Sequence, residues 1–155
     1  MSDPRKALMT VRIIWVAMLM GQLTFAAIAV GIVTSAAGEA PGDAASVSML
    51  FIISCAMIVT AIPVGLFVRG QVFKRHWQGD IVTPRGYAGG NIIAFASCEG
   101  PVFFSLIVCL IARSFWPYAI PAAAGLVVFL LLWPSGKPMF SPRDADADNP
   151  YRQLR

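Results

Sequence analysis

The segment NIIAFASCEGPVFFSLIVCLIA, residues Asn91–Ala112, decides the fold of this chain. It is almost entirely apolar, and a helix rising 1.5 Å per residue needs about 20 residues to cross the hydrocarbon core of a bilayer. The segment therefore predicts a transmembrane helix. One ionisable residue, Glu99, lies well inside it, where a carboxylate costs roughly 2.5 kcal/mol or more to insert. Pro101 removes a backbone N–H donor close by, so we expect a kink there.

The composition of the whole chain extends this interpretation to several membrane helices. The 155 residues are 57% hydrophobic and 13% charged, whereas about 25% of the residues of a soluble domain are charged. The charges also lie in short stretches between long apolar runs. This segregation predicts an all-α integral membrane protein. The net charge of +4 then reflects membrane topology, and no nucleic-acid binding is expected.

The apolar runs predict four transmembrane helices in two hairpins, forming one domain over residues 1–133. We place the spans at about residues 11–34, 47–68, 91–112 and 118–133. The first run follows basic residues, as a secretory signal does. Its apolar part is longer than the 7–15 residues typical of a signal core, so an uncleaved span is favoured. Residues 134–155, rich in Pro, Asp and Arg, predict a disordered cytoplasmic tail.

Lysine and arginine residues predict the orientation. The N-terminal lead and the connection 69–90 are basic, whereas the connection 35–46 carries acidic residues and no basic one. By the positive-inside rule, both termini and the connection 69–90 lie in the cytoplasm. The chain is thus predicted to be a multi-pass protein of the bacterial inner membrane.

Glu99 has two interpretations. It could be an ion-binding or proton-exchanging carboxylate, with Gln22 of the first span as a second polar group at membrane depth. Alternatively, it is a structural acid that hydrogen-bonds to Gln22 or to a serine or threonine of a neighbouring helix. Glu99 lies about 100° around the helix from a stripe of small residues. We therefore expect it at a groove or an interface between subunits, away from the tightest helix contact.

Small residues predict where helices approach closely. In the third span they form the stripe Ala94, Cys98, Pro101, Ser105, Cys109 and Ala112. In the first span they recur four residues apart, as Ala17 with Gly21 and Ala27 with Gly31. Both patterns predict helix–helix contacts, and a second kink is expected at Pro63 of the second span.

The remaining polar residues indicate no catalytic chemistry. Four basic residues of the central connection enforce topology or also hold anionic lipid headgroups, at about 1 kcal/mol each. These are Arg69, Lys74, Arg75 and Arg85. Cys55, Cys98 and Cys109 have no metal-ligand spacing and are expected to be free thiols. Neither a catalytic set nor a phosphate-binding loop is present, so we expect no enzyme, no cofactor and no metal.

The run ASCEGPVFFSLIVCLI, residues 96–111, resembles the carboxylate helix of the proteolipid c subunits of rotary ATP synthases. There an alanine-rich approach precedes a glutamate, and a half-helix rich in Phe, Gly, Leu and Val follows. The resemblance implies an ion- or proton-translocating subunit that uses Glu99. The chain differs from that family in lacking a dense glycine repeat in its first span and in its much longer basic connection.

As a whole, the chain more closely resembles small uncharacterised four-span membrane proteins of bacteria. The shared features are Gln22 in the first span, the alanine-rich Glu99-Gly100-Pro101 in the third and Pro134 after the fourth. This resemblance implies a membrane location. The expected function is an accessory, assembly or oligomeric membrane component in which Glu99 makes a buried polar contact. Its partners would be the lipid bilayer and further copies or other membrane proteins; the alternative is the proteolipid-like subunit.

Overall fold

The computed structural model is helical almost throughout the residues that it describes, which are 3–35, 42–79 and 81–140. The helices are α1 Pro4–Ser35, α2 Ala44–Arg75, α3 Pro84–Ala112 and α4 Ile120–Leu131. A short antiparallel hairpin, β1 Trp77–Gln78 with β2 Ile81–Val82, joins α2 to α3. A single turn of 3₁₀-helix, Lys137–Met139, follows α4.

Three of the helices, α1, α2 and α3, are long and apolar enough to cross a membrane. The fourth helix is shorter than the predicted span 118–133. It has 12 residues and is therefore only about 18 Å long. Prolines limit it at both ends. Pro121 fits the first turn of α4, whereas Pro117 before it and Pro134 after it disfavour further helix.

The predicted basic connection 69–90 is largely helical, because the helices continue into it beyond the predicted second and third spans. The helix α2 continues to Arg75, and α3 begins at Pro84 with Thr83 as its N-cap. The Thr83 hydroxyl oxygen accepts a hydrogen bond from the Gly86 N–H at 3.3 Å. Lysine and arginine are good helix formers, so the helices continue past the end of the apolar composition into the basic segment.

At the other end of the bundle, Asp43 caps α2. Its carboxylate accepts hydrogen bonds from the backbone N–H and the hydroxyl of Ser46, each at 3.0 Å. These bonds favour the charged form and lower the pKa of Asp43. The Gly42 N–H donates to the carbonyl of Ile111 at 3.2 Å. The start of α2 is thereby held against the end of α3.

The helix α3 lies at the centre of the bundle and packs against the other three. It runs antiparallel to α2 and α4 and parallel to α1. Two contacts per pair fix these directions: Ser54 with Ser105 and Gly65 with Ser97 for α2, Phe129 with Phe95 and Gly125 with Val102 for α4, and Trp15 beside Phe129 near Phe95 and Phe25 with Phe103 for α1. Because α3 is surrounded on three sides, half of its apolar window is buried, against 11% for α1 and 17% for α2.

The small-residue stripe of the third span is confirmed as a helix contact, since all six of its members are buried. The small residues of the first span make no corresponding contact within the chain, contrary to the prediction for folding. Ala17, Gly21, Ala27 and Gly31 are exposed, and a Cβ added to either glycine would meet nothing within 4 Å. The helix α1 instead packs through a different set of residues, which form the α1 seam: Val11, Trp15, Gln22, Ala29 and Val33.

Aromatic and polar contacts close the end of the bundle where α1 begins and α4 ends. The Trp15 ring stacks on Phe129 at 5.6 Å, and its indole N–H donates to the Phe129 carbonyl at 3.2 Å. The Arg12 Nε–H donates to the carbonyl of Pro134 at 3.3 Å. The first and last described segments therefore lie at the same end of the bundle.

Residues 134–140, predicted as the beginning of a disordered tail, are packed against this end. The Tyr87 hydroxyl of α3 accepts a hydrogen bond from the Gly136 N–H at 3.0 Å. Met139 is 2% exposed and belongs to the core. The disordered tail was predicted from polar composition, which does not indicate that Gly136 and Met139 make these contacts. The rest of the predicted tail, 141–155, lies outside the described residues.

Candidate functional site

Glu99 and Gln22 lie at a similar depth, near the middle of the bundle. At the end of the bundle where α1 begins, Tyr87 and Arg12 both hydrogen-bond to the segment after α4, so these two residues lie at a similar height. Glu99 is twelve residues beyond Tyr87 on α3, or about 18 Å along the helix. Gln22 is ten residues beyond Arg12 on α1, or about 15 Å. In a hydrocarbon core of about 30 Å that began at this level, both side chains would lie near the middle, far from water.

Glu99 lies at an open edge of the contact between α1 and α3. It is half-buried, one helical turn before Phe103, whose ring meets Phe25 of α1 edge-on at 5.3 Å. Gly21 lies one turn before Phe25 and is exposed, as is Gly100 beside Glu99. A Cβ added to either glycine would meet nothing within 4 Å. Space is therefore left beside the carboxylate.

Among the described residues, the Glu99 carboxylate has no hydrogen-bond or ion-pair partner. The hydrogen bond to Gln22, one of the contacts that the structural interpretation offered beside a serine or threonine, is not formed, since neither amide atom of Gln22 has a partner. The predicted location of Glu99, away from the tightest helix contact, agrees with its partial exposure.

Gln22 is buried in the middle of the α1 seam, with only 1% of its surface exposed. Its side chain lies beside an open cavity of about 220 Å³ between α1, α3, α4 and the turn before α4. We call this cavity the α1–α4 groove. Its lining consists of Gln22, Ala26, Val30, Val102, Leu106, Phe115, Ala119, Ala122, Ala123 and Leu126. The sequence analysis identified Gln22 as polar at membrane depth but gave no sign of the groove.

The two prolines predicted to kink their helices both lie inside continuous helices, Pro63 in α2 and Pro101 in α3. Pro101 is buried, and its carbonyl accepts a hydrogen bond from the Ser105 hydroxyl at 2.7 Å. The kinks themselves stay predictions.

The four basic residues proposed for lipid headgroups are not equivalent. Lys74, Arg75 and Arg85 are exposed. Arg69 is half-buried, with its guanidinium carbon 5.1 Å from the centre of the Phe73 ring. Its Nε is buried without a hydrogen-bond partner. Arg69 therefore packs within the bundle, and the other three remain accessible to headgroups.

The buried amide of Asn91 is a polar feature that the sequence analysis did not single out. Its Nδ2 donates to the Tyr87 carbonyl one turn earlier at 2.8 Å, while its Oδ1 has no partner. It lies on α3 between Tyr87 and Glu99, at the start of the apolar run. From sequence alone, a buried asparagine at the end of an apolar run looks the same as a polar residue that simply marks the end of a membrane segment.

The chemistry available at these positions is limited to hydrogen bonding and to the one carboxylate. Within the described ranges, no group of three or more His, Cys, Asp or Glu residues could hold a metal ion. Cys55, Cys98 and Cys109 are free. Comparison with protein-family models, with curated proteins and with solved structures gives no match.

Proposed function

We propose that this chain is a non-enzymatic component of a membrane assembly and that another copy or another membrane protein completes its surface at Glu99. The observation that carries the proposal is the half-buried Glu99 carboxylate, which lies at mid-depth without a partner among the described residues. A polar group in the hydrocarbon region costs several kcal/mol unless protein satisfies it. An approaching helix that offers a hydrogen-bond donor would remove that cost.

The exposed face of α1 supports contact with another helix. Ala17, Gly21, Ala27 and Gly31 are accessible on it, and such small residues let two helix backbones approach closely. Gly21 lies at the edge of this face, one turn before Phe25, whose ring meets Phe103 one turn beyond Glu99, so a helix packed over Gly21 and Phe25 would come close to Glu99. The small residues that do not pack within the chain thus suit contact between chains.

A proteolipid-like subunit that translocates ions or protons is the second candidate function. The observation that favours it is that Glu99 lies at an open edge and not inside the bundle with Gln22. A carboxylate at such an edge could exchange a cation with a neighbouring subunit. The assembly then has the same contact surface but a different role for the acid.

Substitution of Glu99 separates these roles. In mild detergent, we expect Glu99→Ala to weaken self-association or co-purification of partners by about 3- to 15-fold, the range for a polar contact between membrane helices. Glu99→Gln, which still forms hydrogen bonds, should retain most of it. The measurement is sedimentation of the purified chain together with mass spectrometry of co-purified proteins.

The control is Gly70→Ala, since Gly70 is exposed on α2, away from Glu99, and a Cβ there meets nothing within 4 Å. Wild-type association in Glu99→Ala would contradict the assembly proposal. If Glu99→Gln assembles normally but proteoliposomes lose cation or proton uptake that the wild type has, the proteolipid-like function is supported. Uptake unchanged by Glu99→Gln, or absent from the wild type, would count against it.

We further propose that all four helices lie in the bacterial inner membrane, with both termini in the cytoplasm. The exposed basic residues Lys74, Arg75 and Arg85 would then face anionic headgroups of the inner leaflet. A phosphatase reporter that is active only outside the cytoplasm should be active when fused near Glu39 and inactive after Arg155. A fluorescent-protein reporter should give the opposite pattern. An active phosphatase after Arg155, or a mature chain beginning near Gly38, would refute this topology.

A further inference from the structure

Arg12 is held in a fixed position at the end of the bundle where α1 begins. Its Nε–H donates to the Pro134 carbonyl at 3.3 Å, and its guanidinium carbon lies 5.5 Å from the centre of the Trp133 ring. The Trp133 ring in turn meets Trp15 edge-on at 4.8 Å. A cation that is already held in place loses little conformational freedom when it binds a ligand.

The guanidinium of Arg12 keeps most of its capacity to bind an anion. Of its five N–H donors, the structure assigns the one on Nε to an acceptor. The two Nη groups have no acceptor in the described part of the chain and are not among the buried polar atoms without a partner, so they reach the surface. The helix α1 contains no acidic residue. The carboxylate of Asp3, just before α1, accepts a hydrogen bond from the Arg5 N–H.

An open apolar groove on the outer face of α1 begins beside Arg12. Its lining residues are Met9, Arg12, Ile13, Val16 and Ala17. Because this lining is almost wholly apolar, Arg12 contributes its methylene groups, and its guanidinium lies at the rim. Apart from Arg12, the lining residues are exposed on a helix long and apolar enough to cross a membrane. The groove therefore suits an acyl chain, with the head group outside it.

The charges near Arg12 favour an anionic head group. Arg5 is exposed and lies on the same face of α1, seven residues or about 10 Å before Arg12. Lys6, next to it, is also exposed. A phosphate accepts two parallel hydrogen bonds from a guanidinium. The ammonium of a zwitterionic head group would instead meet like charges, with no carboxylate on α1 to attract it.

We infer that Arg12, Arg5 and the groove on α1 form a binding site for an anionic phospholipid. Tryptophan is typical of the membrane interface, so Trp133 sets the guanidinium at the level of the phosphate groups. The lipid phosphate accepts from the Nη groups of Arg12, and one acyl chain lies along Val16 and Ala17. The site shares only Ala17 with the small-residue face of α1, so it does not rest on the proposed assembly contact.

Photolabelling tests the site. The full chain in mild detergent is irradiated with phosphatidylglycerol that carries a diazirine in one acyl chain, and labelled residues are mapped by mass spectrometry. Labels should concentrate on Ile13, Val16 and Ala17. Unlabelled phosphatidylglycerol should compete better than phosphatidylcholine by about 5-fold for each basic residue near the phosphate. Sodium phosphate at matched ionic strength should not compete, because it has no acyl chain.

Two charge variants test the head-group contact. Arg12→Gln should lower labelling of the groove by about 5-fold and reduce the preference for phosphatidylglycerol over phosphatidylcholine by the same factor. Arg5→Gln should reduce this preference as well, in a side chain that lies outside the contacts of Arg12 with Trp133 and Pro134. If Arg12→Gln fails to fold, Arg5→Gln still tests the charge.

Two exposed valines provide a matched pair for the acyl chain. Val16 lines the groove on α1, whereas Val64 lies on α2 and does not line it. Val16→Trp fills the groove and should abolish labelling of Ile13 and Ala17, while Val64→Trp should leave it unchanged. Glu99→Ala should also label as the wild type does, so a failure of the assembly proposal would leave this result intact.

The opposite results overturn the inference. Labels spread evenly over the exposed apolar surface, or equal labelling of Val16→Trp and Val64→Trp, would show that the groove is not a site. Equal competition by phosphatidylcholine would show that the arginines do not select the head group. Competition by sodium phosphate as strong as that by the lipid would indicate a site for free anions. Labelling that appears only in Glu99→Ala would mean that a helix of another chain occupies the groove.

Discussion

Replacing Gly65 by alanine is expected to separate α2 from α3 and to cause a large loss of stability. Gly65 is buried where the two helices meet, and an added Cβ would overlap both Oγ and Cβ of Ser97. Ser97 cannot move away by rotating, because its Cβ is attached to the α3 backbone. Overpacking of this kind costs roughly 1–3 kcal/mol or more.

The measurement is thermal or SDS-induced unfolding in mild detergent, with Gly70→Ala as the matched control. Gly70 is on the same helix, and a Cβ added there would meet nothing within 4 Å. Gly70→Ala should be neutral or stabilising, since alanine is the better helix former by up to about 1 kcal/mol. Equal unfolding midpoints for the two variants would refute the close packing of α2 on α3.

Phe129→Ala is expected to lower the free energy of unfolding by roughly 3 kcal/mol, a value typical of removing a buried ring. Phe129 is fully buried, stacks on Trp15 and lies 5.6 Å from the Phe95 ring. It therefore joins α4 to both α1 and α3. Loss of the ring leaves a cavity where α4 packs against Trp15 of α1 and Phe95 of α3.

Leu130→Ala is the control for this substitution, because Leu130 is the next residue of α4 and is 46% exposed. It should change the unfolding midpoint little in the same assay. Tryptophan fluorescence gives a second measurement, since Trp15 loses its stacking partner only in Phe129→Ala. A stable Phe129→Ala with unchanged fluorescence would show that α4 is held in some other way.

The contact face of α3 could be predicted from the sequence because the pattern that marks it, small residues at helical spacing, lies within this one helix. Small residues at helical spacing place Ser105 on one face and Glu99 about 100° away, and the structure confirms the stripe and the partial exposure of Glu99. The absent partner of Glu99 could not be predicted. Helical spacing gives the direction of a side chain but does not give the groups that face it on another helix.

The predictions that failed depend on how one helix packs against another, which the sequence of a single helix does not reveal. Gly21 and Gly31 have the spacing of a helix contact, yet α3 presents a surface that accommodates Trp15 and Gln22 instead. The α1–α4 groove depends on how far two helices diverge, which neither helix encodes alone. Hydropathy likewise ends a predicted span at the first charges, although the helix continues, as α2 does to Arg75.

The shortness of α4 has a consequence for the lipid around the protein. Three sides of the bundle can match a core of about 30 Å, whereas α4 contributes about 18 Å of helix. Trp116 and Trp133, both exposed, flank this helix, and in the proposed four-span arrangement they would anchor its ends at the two interfaces. The adjacent bilayer would then have to become thinner to meet them, at fractions of a kcal/mol per Å of hydrophobic mismatch. In that arrangement the chain should prefer thin membranes and orient its α4 side toward short-chain lipids or toward a neighbour with an equally short apolar band.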